Sequence, residues 1–197
     1  MGALDGRPKL PLKTEHSVKR RFTLNTSTKS ESAVRRSDTI QHTCVPTGLS
    51  YDAAIRAFER EVGHLDPAMT QRLVERKAPW SEIEREIEKI GGSHDLMIIE
   101  RADLGRVASL SGREKRCLLY LVGNPVIANR IISIDLRGCF YVPFRVALYD
   151  DGNPEGAVIA YDRPSSFLAT LGRPELTEIA ADLDRKIDTA AAGARTR

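Results

Sequence analysis

Gly123-Asn124-Pro125 stands between an apolar run and an apolar stripe at helical spacing. A helix starting at Pro125 would leave its first N–H groups free, with a partial positive charge, and such groups can hold an anion. No Gly-rich cradle and no Lys-Ser/Thr pair follows, so this is not a phosphate loop. The same three residues also suit a plain strand-to-helix turn. Gly123 allows the bend, Asn124 is a preferred cap, and Pro125 fits the first helical position. The turn accounts for every residue of the corner, and ligand binding would be an addition to it.

Other candidates are scattered. Glu100, Arg101 and Asp103 lie in or beside a polar stretch over 101–116, where a carboxylate can bind a ligand, act as a base, or simply be solvated. Tyr120, Tyr141 and Tyr161 fall on expected strands near one another. Phenols there orient a ligand in a pocket or pack at a dimer surface. Arg145, beside Pro143, either pairs with Asp162 or Asp135 across strands or holds an anionic ligand. The candidate ligand-binding set is therefore Gly123, Asn124, Pro125, Asp103, Tyr120, Tyr161 and Arg145.

Ser109, Ser111 and Ser165 have no adjacent His or Lys to mark a nucleophile. No two of His16, His42, His64 and His94 stand at ligand spacing, so no metal site is expected. Cys44, Cys117 and Cys139 form neither a zinc knuckle nor a redox pair. Sparse, unpaired cysteines fit reduced thiols and a cytoplasmic location, with Cys117 and Cys139 expected in the core.

The elements that must position these residues can be read in order. Thr39–Val45 reads as a strand ended by Pro46. Ser50 can cap a helix with Tyr51, Ile55, Phe58 and Val62 on one face, closed by Gly63. Asp66-Pro67 starts a short second helix. Ser81 and Glu84 form a capping box for a third, which carries Ile83, Ile87 and Ile90 and stops at Gly91-Gly92. Leu96–Ile99 is a short strand, Arg101–Arg116 a polar loop, and Cys117–Val122 a continuously apolar central strand. The stripe Val126, Ile127, Ile131, Ile134 makes the helix after the corner.

Phe140–Tyr149 alternates, with Phe140, Val142, Phe144, Val146 and Leu148 on one face and Pro143 marking an edge or bulge. Residues 150–154 turn a hairpin, Gly156–Arg163 returns, Pro164 opens a helical turn, and a last helix runs from Pro174. Hairpins outnumber crossovers, so the expected class is α+β: an antiparallel sheet with helices packed on one face.

Of 197 residues, 1–36 hold nine Lys/Arg against three acids, a local charge of +6 in a chain of net +3. Residues 37–197 are therefore at −3, which disfavours nucleic acid as their partner. The leader has no periodicity and reads as a disordered basic tail, followed by one domain over 37–190 and a frayed end over 191–197. No stretch approaches the ~20 apolar residues of a membrane span.

The stretch "LYLVGNPVIANRIISIDLRGCFYVPFRVALYDDG" with "AVIAYDRPSSFLATLG" resembles the domain of unknown function 302 family. The shared elements here are Gly123-Asn124-Pro125, Ala128, Asp135, Gly138-Cys139-Phe140, Pro143 and the helix from Pro174, over roughly residues 38–190. The resemblance implies a small α+β fold of the TATA-binding-protein-like class, association as dimers, and no settled activity. Many members carry Cys at the position of Gly123, so a thiol role there is absent from this chain. The nearer branch shows Asp-His-Gly where this chain has Asp103-Leu104-Gly105, so a role for that His is absent too.

The reading that results is a small-molecule-binding homodimer with a pocket between sheet and helices near Asn124, its cofactor unknown. One alternative is an enzyme using Asp103 and a tyrosine as acid and base on a small acid substrate. Another is an interaction module that docks through its basic tail on an acidic partner or anionic membrane.

Overall fold

Apolar side chains alternate along Arg116–Gly123 (β4), so that Leu118, Tyr120 and Val122 are buried while Cys117, Leu119 and Leu121 are only half-buried. That two-residue period sets the fold, because only one face of the strand needs covering. A computed structural model describes residues 36–195. The basic leader, expected to be a disordered tail, lies outside the described residues except for Arg36.

Six strands form one mixed, mostly antiparallel sheet in the order β1-β6-β5-β4-β3-β2. They are His42–Pro46 (β1), Gly63–His64 (β2), Met97–Asp103 (β3), β4, Phe144–Asp150 (β5) and Val158–Asp162 (β6). The sequence expectation that β4, β5 and β6 are neighbours holds, with Tyr120 opposite Val146 and Val146 opposite Tyr161. The chain is thus α+β.

The helices Tyr51–Glu61 (α1), Pro125–Ile134 (α5), Pro164–Leu168 (α6) and Thr177–Gly193 (α7) all bury apolar residues in the cluster on that one face. Phe58 of α1 meets Tyr120 with ring centroids 5.4 Å apart. The helices Pro67–Glu75 (α2) and Trp80–Ile90 (α3) form an excursion between β2 and β3, contributing Leu73 and Ile87 to the buried set.

Several boundaries differ from expectation for physical reasons. The expected strand from Phe140 begins only at Phe144. Asp135 accepts from the Arg137 N–H and starts a 3-10 turn over Leu136–Phe140, and Val142-Pro143 is a cis peptide. Pro143 precedes the strand instead of lying inside it. β5 pairs with β4 from Phe144 onward but with β6 only from Val146, so the flank nearest Pro143 is paired on one side. Cys139 is exposed in that turn and Cys117 is half-buried, so neither is the core residue expected.

The capping box does not form. Glu84 instead accepts from the Trp80 indole (2.8 Å), and α3 starts two residues earlier, with Pro79 rather than Ser81 at the cap position. β2 was invisible to periodicity, being two residues long. It runs parallel to Met97–Ile98, and a Cβ at Gly63 would strike the Ile90 carbonyl oxygen. Where a frayed end is expected after Ala190, the described residues are helical. α7 continues to Gly193, with Ala190, Ala191 and Ala194 fully buried.

α7 is fastened by two carboxylates one helical turn apart. Asp184 accepts from Arg163 Nη2 (3.0 Å), the Ser165 N–H (2.9 Å) and the Ser165 hydroxyl (2.6 Å). Asp188 accepts from Arg163 Nη1 (3.1 Å) and the Tyr161 hydroxyl (2.6 Å). Asp184 is buried, so its removal leaves the Ser165 N–H and hydroxyl without their acceptor and Arg163 with Asp188 alone. Asp184→Ala is expected to cost about 2–4 kcal/mol in urea unfolding with an unchanged m-value. Asp184→Asn, which keeps an acceptor for Ser165, should cost less.

Candidate functional site

The corner after β4 is built by one carboxamide. Asn124 Oδ1 accepts from the N–H groups of Val126 (2.8 Å) and Ile127 (3.3 Å), and its Nδ2 donates to the Asp95 carbonyl (3.0 Å). The first two contacts cap α5, and the third ties the cap to the segment entering β3. Its polar atoms are committed to the fold, and Asn124 is buried.

Beside the corner lies a pocket of about 190 Å³. Gly123, Asn124 and Pro125 form one wall, and Ile127 and Ala128 continue it along α5. Val142, Pro143 and Phe144 close the other side, with Leu65, Ile99 and Leu183 reaching in from distant parts of the chain. Gly123 faces Pro143 closely: a Cβ there would lie 3.3 Å from the proline Cβ. The lining is almost wholly apolar, and no charged side chain reaches it.

The structure does not gather the sequence candidates into one place. Asp103 caps the short helix Leu104–Ala108 (α4), accepting from the Arg106 N–H (2.8 Å). Tyr120 is buried under α1 and donates to Glu59 (3.0 Å), which also faces Arg101 at 3.3 Å. Tyr161 donates to Asp188 as described. Burial first, then carboxylate contact, holds both phenols well above their ordinary range. Tyr51, near Asp103, is pushed up to about 12, chiefly by burial. Tyr141 lies on no strand; its hydroxyl meets Thr170 at 2.6 Å and its ring stacks on Phe167. Arg145 is on the opposite sheet face, 3.6 Å from Asp162.

Sequence reasoning missed Leu65, Ile99 and Leu183 as pocket walls, and no local pattern signals them. It also missed the Asp184/Asp188 pair, whose four-residue spacing on a helix was a readable cue.

Asp135 is the most strongly perturbed acid. Arg137 and then Arg173 hold its carboxyl far below the usual carboxylate range, against a smaller opposing effect of desolvation. Arg137 also donates to the Leu171 carbonyl (3.0 Å), so this cluster joins the end of α5 to the turn before α7. Among the described residues no group of three His, Cys, Asp or Glu is placed to hold a metal, and no helix is long and apolar enough to cross a membrane.

A family model described as "Domain of unknown function DUF302" matches residues 71–194. Among solved structures, the chain is similar to an uncharacterized conserved DUF302 protein from Bacillus stearothermophilus. The two are 15% identical, with a TM-score of 0.55, covering 78% of this chain and 98% of that one. At that identity the likeness speaks to fold alone. No curated protein matches.

Two outcomes are expected. Asn124→Ala should lower stability by about 1–2 kcal/mol in chemical denaturation, because it removes the α5 cap. A depressed carboxyl stabilises the fold above its unfolded pKa of about 4, and that contribution is lost as pH falls toward the lower folded value. The stability gap between the parent and Asp135→Asn should therefore be widest near neutral pH. It should close progressively below about pH 4, read by urea unfolding across a pH series.

Proposed function

This chain belongs to the DUF302 family, and from that premise we propose that it binds a small, uncharged, apolar molecule in the pocket at Gly123-Asn124-Pro125. The supporting observation is the pocket's size and lining: about 190 Å³, with scarcely any polar surface. Drug-sized ligands occupy roughly 300–1,000 Å³, whereas an apolar cavity of about 150 Å³ takes up benzene. The fitting ligand is thus about one ring or a short branched chain in size. An anion is disfavoured, because the α5 N–H groups nearest the corner are already bonded to Asn124 and no cation lines the wall. Gly123 leaves open the space that a side chain at that position would narrow.

The same reading takes a second copy of the chain as partner. Its support is the sheet face opposite the helices, where Leu119, Leu121, Ala147 and Tyr149 stay half-buried among the described residues. An apolar sheet face of this kind is the sort of surface that homodimers cover.

Ligand screening by thermal shift, using small cyclic and aromatic hydrocarbons and their neutral derivatives, tests the first claim. The parent should gain about 2.7 kcal/mol at a concentration a hundredfold above Kd. Ala128→Leu, which fills the pocket, should melt like the parent without ligand and fail to respond. A parent that no such compound stabilises, or a variant that responds equally, sinks the reading. For the second claim, sedimentation should find the parent dimeric and Leu121→Asp monomeric; a monomeric parent removes it.

A further inference from the structure

The segment between β3 and β4 was expected to be a polar loop. Instead it is a fixed knuckle made of α4 and a 3-10 turn over Ser109–Ser111. Its inner side is fully engaged. Asp103 caps it, and the Ser109 hydroxyl donates to the Gly105 carbonyl (2.7 Å) while its oxygen, Oγ, accepts from the Lys115 N–H (2.8 Å). Gly105 is seated so closely that a Cβ would lie 2.7 Å from the Cys117 amide nitrogen. These contacts leave no freedom for the knuckle to turn its other side inward.

That other side is apolar and wet. Leu104, Val107 and Leu110, three residues apart, are 50%, 70% and 86% exposed. At a spacing of three, side chains of a tight helical turn share a face. Cations flank them: residues 104–116 hold Arg106, Arg113, Lys115 and Arg116 against Glu114, a local +3. Residues 37–197 carry −3 in all, so the rest of that span is at −6. A local net positive charge thus lies in the same segment as the most exposed leucine among the described residues. The Arg106 and Arg113 side chains are exposed and have no ion-pair partner among the described residues. They are available to a partner.

We infer that this knuckle is a membrane-contact site, inserting Leu104, Val107 and Leu110 into the interfacial layer of an anionic bilayer while the flanking arginines meet lipid phosphates. Exposed apolar tips ringed by cations are what a charged lipid surface selects. The shape argues against a protein partner. Three side chains on one turn offer far less than the roughly 800 Å² per partner of a stable protein interface. A bilayer needs no complementary shape.

The test uses the full chain with phosphatidylcholine vesicles, with or without about one-third phosphatidylglycerol. Sedimentation should show binding to the anionic vesicles, and Val107→Ser/Leu110→Ser should weaken it roughly tenfold while leaving the melting temperature unchanged. The basic leader is present in both proteins, so it cancels in the comparison. Leu110→Trp, in a Trp80→Phe background, should shift its emission to the blue on anionic vesicles and not on neutral ones. Equal vesicle binding by the parent and the double variant overturns the inference, as does an unmoved emission at position 110. Concentration-dependent self-association lost in the double variant would overturn it too, because the surface would then join two copies of this chain. If the double variant fails to fold, the emission of Leu110→Trp decides.

Discussion

One carboxamide at the end of the central strand holds the molecule's main joint. Asn124 must satisfy the first N–H groups of α5 and a carbonyl just before β3, and it does all three with one side chain. A buried strand end feeding a buried helix start would otherwise leave polar backbone groups without partners. With the cap in place, Ile127 and Ile131 pack onto the sheet and Gly123 meets Pro143. The pocket is the space left between these fixed walls. Its apolar character follows from the same arithmetic: the polar atoms of the corner are spent on each other.

The helical layer is held by a second device, used three times. A carboxylate receives several donors from elements distant in sequence. Glu59 joins α1 to Tyr120 and Arg101, Asp184 and Asp188 join α7 to Arg163 and Tyr161, and Asp135 joins Arg137 and Arg173. The Asp184/Asp188 cluster sits at the end of β6 and Asp135 at the end of α5, while Glu59 meets the interiors of β3 and β4. The buried tyrosines are part of this system. Their protons lie on hydrogen bonds to carboxylates, in surroundings that disfavour the phenolate. They act as polar ties within an apolar layer.

The two faces of the sheet have different fates for one reason. Every helix that contributes to the main buried cluster lies on the side of Leu118, Tyr120 and Val122. The reverse side shows Leu119, Leu121 and Ala147, flanked by the loosely paired Arg145 and Asp162. The knuckle between β3 and β4 adds a third kind of surface, apolar tips among cations. The described residues thus present a dry interior, a half-dry sheet face and a charged apolar knuckle.

Much of this was legible from residue order alone. The continuously apolar 117–122 marked a central strand without showing which side the helices cover. Alternation along 144–149 showed which side of its strand is buried, and the Asn-Pro pair showed where α5 starts. Both are local rules with a period of two residues or one turn. The adjacency of β5 and β6 followed from the short hairpin that joins them, and the α+β class from the order of strands and helices. What the sequence could not disclose depends on contacts between distant segments. β3 runs on to Asp103 because β4 pairs with it, though its own residues there are polar and unpatterned. Phe140 leaves the strand whose alternation it shares because Asp135 starts a 3-10 turn first. Leu65, Ile99 and Leu183 become walls of one pocket only when three separate elements converge. Local periodicity is set by the geometry of one chain segment, so it can be read in order. Convergence is set by which buried surfaces meet, and only the folded chain decides that.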